Sequence, residues 1–225
     1  MTISPQPIKR FKKPFFQENR RELLIGFCAV LIMVVRFLFP MELVGEWFWI
    51  NILLFLIFPL ITIKFILKED LKNFGFSWGN YKTGIPMALI TITVFSLISY
   101  FLIKAKYKFS FYIPAAESFW TFLWFDLLVM GIVFFSREVF FRGFIQLGLE
   151  KKLGIYAVLG GVFLNTLLFL QSSWTEIILV FLMSLVAGAI VWRSRSIAYS
   201  SAALWIISLT ADIIIIRLVN QAISG

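Results

Sequence analysis

The feature that most constrains this chain is a series of seven apolar stretches, at about 22–39, 47–67, 84–103, 118–136, 154–171, 175–192 and 197–219. A helix needs about 20 predominantly apolar residues to cross the hydrocarbon of a bilayer, and each stretch reaches or nearly reaches that length. A soluble fold has no interior large enough to hide them. Here 60% of residues are hydrophobic and only 15% charged, against roughly half and roughly a quarter in an ordinary soluble domain. In lipid every backbone polar group must be paired within the segment. The expected fold is therefore all-α, a polytopic transmembrane bundle of about seven spans. The segment 137–153 either extends the fourth helix or forms a short separate one. No internal repeat or low-complexity run divides the 225 residues, and the length suits one domain. The expected organisation is a basic tail over 1–21 and a single transmembrane domain over 22–225.

Lysine and arginine set the orientation of such a bundle. The tail holds Lys9, Arg10, Lys12, Lys13, Arg20 and Arg21, and no small-residue cleavage site follows the first apolar run, so it reads as a tail and not a cleaved signal. With the amino terminus inside, Lys68, Lys72, Lys82, Arg137, Arg142, Lys151, Lys152, Arg193 and Arg195 join it. The opposite side receives Lys104, Lys106, Lys108 and Arg217. The expected location is the cell membrane, multi-pass, with a cytoplasmic amino terminus. The net charge of +9 then faces anionic lipid. No nucleic-acid partner is expected, since no module of interleaved basic and aromatic residues is present.

The chain has no histidine and one cysteine, Cys28. That removes the commonest general base and the commonest catalytic metal ligand, and it excludes an internal disulfide or a Cys-rich metal site. Serines are plentiful, but a serine nucleophile would need lysine as its base, and no lysine lies at membrane depth beside Ser136, Ser172, Ser173, Ser200, Ser201 or Ser208.

Ionisable groups within a bilayer are costly, so each invites a functional question. Arg36 and Lys64 lie near span ends and can snorkel. Glu138 and Arg142 are four residues apart, which places them on one helix face, where a bidentate pair would neutralise both charges. Asp126 and Asp212 could share a proton and activate water, or serve as helix–helix hydrogen-bond partners. Asn165 and Gln171 fall on one span. Gly160, Gly161, Ala187 and Gly188 are small residues that let helices approach closely.

The segment Arg137-Glu138-Val139-Phe140-Phe141-Arg142-Gly143-Phe144 resembles the first motif of the CPBP family, the CAAX-protease and bacteriocin-processing (Abi) group of intramembrane proteases. That motif reads Glu-Glu, three residues, then Arg, typically followed by Gly. Other landmarks follow in family order. Asn165-Thr166-Leu167-Leu168-Phe169 is similar to the run before a second motif, Phe-x-x-x-His. The stretch from Phe181 to Ile197 resembles the approach to a third, His-x-x-x-Asn/Ser. Upstream, Leu71-Lys72-Asn73-Phe74-Gly75-Phe76 resembles a loop between early spans. The resemblance covers about 68–212. It implies a CAAX-protease-like bundle and, in active members, peptide cleavage within the membrane. There the first Glu activates water, two histidines and an Asn complete a site that holds zinc or polarises the scissile carbonyl, and the second Glu supports the Arg.

Position by position, this chain departs from that pattern. The first Glu position is Arg137. The second motif keeps Phe169 but has Ser173 at its histidine, and the third has Leu204 (or Trp205, one residue on) and then Ser208. Glu138 and Arg142 are the remnants. A catalytic zinc site needs about three protein ligands and an open position. Only Glu138, Asp126 and Asp212 could supply them, an unusual set for zinc, with Arg137 placing a cation where the metal belongs. A carboxylate tied to a guanidinium is also a weak base. The expected function is a catalytically inactive CAAX-protease-like membrane protein with no zinc. It would bind a membrane protein or a hydrophobic or lipidated peptide, as scaffold, regulator or immunity factor, with Asp126, Asn165 and Asp212 as candidate polar cavity residues. Two other readings are open: an active intramembrane endopeptidase with an unconventional carboxylate site, and a small transporter or lipid-binding protein. Protein purified without a metal-binding tag and incubated with zinc is expected to keep near-zero zinc per chain by elemental analysis. Stoichiometric zinc, lost on changing Glu138 or an aspartate in a still-folded protein, would put a carboxylate site first.

Overall fold

The computed structural model describes residues 19–39, 44–105 and 119–224. Most of the basic tail, the loop residues 40–43 and the lysines at 106 and 108 lie outside the described residues. Seven helices account for most of the rest: α1 (Arg20–Leu38), α2 (44–67), α3 (Tyr81–Lys104), α4 (119–153), α5 (Ile155–Leu167), α6 (Trp174–Ser194) and α7 (Ala198–Ser224). A 3₁₀ turn, Leu71–Phe74, links α2 to α3. There is no strand among the described residues.

Each of the seven apolar stretches forms a helix, but they are not equal as spans. Four helical segments are long and apolar enough to cross a membrane: Gly45–Leu67, Tyr81–Lys104, Trp174–Ser194 and Ala198–Arg217. The 19-residue α1 carries Arg20, Arg21, Glu22 and Arg36. The 13 residues of α5 reach only about 20 Å at 1.5 Å per residue, short of a hydrocarbon core of about 30 Å. The segment 137–153 continues the fourth helix. Arg137 and Arg142 are therefore inside the bundle and leave the loop tally of positive charge without changing its sign.

Large apolar side chains point outward along most helices. Phe27 and Leu38 on α1, Phe65 on α2, Ile90 and Phe101 on α3, Phe163 on α5 and Trp174 on α6 are all exposed. Exposed apolar surface on that scale does not occur on a soluble monomer and marks contact with lipid. The protein is a membrane-spanning helical bundle. Inside it, α7 lies along α3, α6 packs on α5 and α3, and α4 is flanked by α5 and α7. Phe55 of α2 stacks on Phe140 of α4 at 5.1 Å between ring centres, and Phe140 meets Phe141 edge-on at 4.8 Å.

The loops that join these helices meet on one face. Arg21, at the start of α1, grips Glu69 with two nitrogens and the Gly148 carbonyl with a third. Arg195, in the left-handed cap that ends α6, pairs with Glu150. The backbone N–H of Asn80 donates to the Ser194 carbonyl at 2.7 Å, and that of Ile197 to Gly75 at 3.1 Å. The basic residues assigned to one side by the sequence, among them Lys68, Lys82, Lys151 and Arg193, flank these joined ends.

Two glycines set the helix spacing around α4. A Cβ on Gly161 of α5 would lie 2.7 Å from the Phe141 carbonyl oxygen and 3.2 Å from Arg142 Nη1. One on Gly188 of α6 would lie 2.8 Å from Val158. Both act as the small interface residues expected of them, whereas Gly160 faces open space. Gly161→Ala is expected to cost about 1–3 kcal/mol through overpacking and Gly160→Ala almost nothing, as read by thermal unfolding of the two variants in detergent.

Candidate functional site

The site is built on α4. Its turns widen to π geometry at Phe125–Met130 and again at Val139–Leu147, a departure that recurs at functional sites. The second widening begins just after Glu138, contains Arg142 and has every residue buried.

Arg142 has no exposed surface at all (0%). Its Nη2 donates to the carbonyl and the hydroxyl of Ser184 on α6, both at 2.6 Å. Its Nε stands 3.8 Å from Glu138 Oε1. The pair implied by i, i+4 spacing is thus a near contact and not the bidentate fork. The wide turn opens between the partners, and α6 takes the guanidinium. The other Glu138 oxygen accepts a hydrogen bond from Ser200 on α7 at 2.5 Å. On α5, the Asn165 amide N–H donates to the Ser184 hydroxyl at 3.1 Å, and its Oδ1 accepts from Arg137 Nη2 at 2.8 Å. Arg137 also lies over the Phe169 ring at 4.9 Å, a cation–π contact that gains strength where water is scarce. One connected network therefore holds four helices.

The network borders a cavity of about 80 Å³, room for several water-sized groups. Arg137, Glu138, Asn165, Ser184 and Ser208 form its polar wall, and Phe169, Leu179, Met183, Leu204 and Ile207 are among its apolar ones. Of the substituted motif positions, Arg137, Leu204 and Ser208 come together here. Ser173 does not: it is the N-cap of α6, where its hydroxyl accepts from the Glu176 N–H and the Glu176 carboxylate accepts from its own N–H. That reciprocal capping box commits Ser173 to starting the helix, and the polar group reaching the cavity from α5 is Asn165. Ser184 and Ser200 are the functional positions that sequence reasoning missed. Each is a small hydroxyl among many, and its only advance signal is a polar residue on an apolar helix.

Asp126 and Asp212 are both buried and close enough to act on each other electrostatically. Neither lines the cavity. Both carboxylate oxygens of Asp126 and Oδ1 of Asp212 lack a hydrogen-bond partner among the described residues. Trp205 donates to the Asp126 backbone carbonyl at 3.0 Å, which ties α7 to α4 beside them.

Zinc, which the resemblance implies for active relatives, finds no matching donor set here. Among the described residues Glu138 is the sole carboxylate on the cavity, and Arg137 is its neighbour. Among the described residues, no three histidine, cysteine or acidic side chains are grouped as a metal ion needs.

The fold and this network define a class, an all-α membrane-spanning bundle with a buried polar network. The model of the family described as type II CAAX prenyl endopeptidase Rce1-like matches residues 117–210, from just before α4 into α7, and so covers the whole network. It is the family that the Glu138–Arg142 motif resembled. No curated protein and no solved structure matches the chain significantly.

Removing one partner of a buried charge pair strands the other. Arg142→Met is expected to destabilise the protein by about 3–5 kcal/mol. Ser200→Ala, which removes a hydroxyl shared between Glu138 and the Ile197 carbonyl, is expected to cost about 1.5–3 kcal/mol. Unfolding in graded sodium dodecyl sulfate would rank the two.

Proposed function

We propose that this protein is a catalytically inactive CAAX-protease-like membrane protein, and that its intramembrane cavity binds a hydrophobic or lipidated peptide, or the membrane segment of a partner protein. A role as scaffold, regulator or immunity factor follows from binding without cleavage. The observation that carries this reading is Arg137. It stands where the water-activating carboxylate of active relatives would stand, anchored by Asn165 and Phe169 on the cavity wall. A guanidinium is protonated in effectively all protein settings and takes no proton from water. Glu138 is a poor replacement base, because Ser200 holds one of its oxygens and Arg142 stands beside the other. The aspartate pair supports no alternative at this cavity, since neither member lines it. We also place the protein in the cell membrane with its amino terminus cytoplasmic, a reading supported by the basic residues that flank the joined loop face. We further propose that it works without zinc.

The test uses protein in lipid nanodiscs and a prenylated peptide ending in a free carboxylate. Binding without cleavage over hours is the expected result. Cleavage by the intact protein, abolished by Glu138→Gln in a variant that still folds, would overturn the proposal in favour of an active carboxylate-based endopeptidase.

A further inference from the structure

The cavity is unbalanced in charge. Among the described residues Glu138 is the only acid on its wall, whereas Arg137 lines it and both Arg142 and Arg36 lie within electrostatic range of Arg137. Uncompensated cations inside an apolar bundle are costly. Arg142 is closed off: it is fully buried, and Ser184 occupies its outer nitrogen. Arg137 is different. A guanidinium carries five N–H donors in a planar fork, and among the described residues the one acceptor it meets is Asn165, at Nη2. The side chain is only half-buried, and its free side belongs to the cavity wall. Phe169 and Asn165 hold the plane in place, so the free donors are fixed in direction before any ligand arrives. Preorganised donors of this kind bind anions with less entropic cost.

We propose that Arg137 makes this cavity a receptor for the carboxylate of an apolar-tailed ligand, with the acid group on the guanidinium and the tail against Leu179, Met183 and Ile207. The fork geometry of arginine matches the two oxygens of a carboxylate. A monoanion also suits the site better than a phosphate dianion, because Glu138 shares the wall and repels a second negative charge. Asn165 donates to the Ser184 hydroxyl, and Arg137 is the one cavity-lining group with a positive charge to offer among the described residues, which makes it the recognition element. The inference deepens the binding role proposed above and rests on it for the peptide ligand. The anion preference itself is independent of whether the tail is a peptide.

The experiment compares matched acid and amide ligands. Purified protein in nanodiscs is titrated with decanoate, decanamide and decyl phosphate, and with a prenylated peptide as its free acid and as its carboxamide. Each acid is expected to bind at least about tenfold more tightly than its amide, the ratio corresponding to 1.4 kcal/mol. Arg137→Gln should abolish that preference, and Arg137→Lys should keep part of it. Equal binding of acid and amide to the intact protein would overturn the inference, and that comparison needs no variant to fold. So would an acid preference that survives in folded Arg137→Gln, or tighter binding of the phosphate. If decanoate shows the Arg137-dependent preference and neither peptide binds, the carboxylate site stands and the lipidated-peptide reading falls. If both peptides bind equally and decanoate shows no preference over decanamide, the reverse holds.

Discussion

Arg142 is the constraint on which the interior depends. A guanidinium with no exposed surface must be met by fixed acceptors, because lipid offers none and a stranded charge is costly. The bundle meets it in part: Nη2 has acceptors, whereas Nε and Nη1 have no hydrogen-bond partner among the described residues. Ser184 supplies two oxygens from α6, Glu138 stands beside Nε, and Gly161 of α5 removes a side chain that would crowd Nη1. The positions of α4, α5 and α6 relative to one another follow from seating this one group. The phenylalanine cluster of Phe55, Phe140 and Phe141 then closes the other side of α4.

The same framework keeps the residue that faces the cavity apart from those that hold the helices. Arg137 adjoins the Glu138–Arg142 pair but hangs on a separate anchor, Asn165 and Phe169. The structural residues of the motif and the residue facing the cavity are therefore held by different neighbours. The guanidinium of Arg137 sets the sign of the wall, while Ser184 accepts from Arg142 Nη2 and Ser200 donates to Glu138 on the helix side.

Asp126 and Asp212 form a second polar locus at the α4–α7 contact, away from the cavity. Their sequence separation gave no reason to expect contact. They lie within electrostatic range of each other because α7 packs along the middle of α4, with Trp205 bonding the Asp126 carbonyl across the same interface.

The apolar run lengths by themselves determined that this chain is a helical membrane protein, since backbone groups in hydrocarbon must pair within each segment. The sequence also lacks histidine, and it marked residues 137–142 as the segment whose charged side chains line or adjoin the cavity. Tertiary structure decided the rest. It separated the full-length spans from the shorter α5, showed that 137–153 continues the fourth helix, loosened the Glu138–Arg142 pair, and removed Ser173 from the site while bringing in Ser184 and Ser200. The reason is physical: composition and periodicity describe how one segment meets lipid, whereas the partner of a buried polar group is chosen by which helix lies next to it, and nothing local in the chain encodes that neighbour.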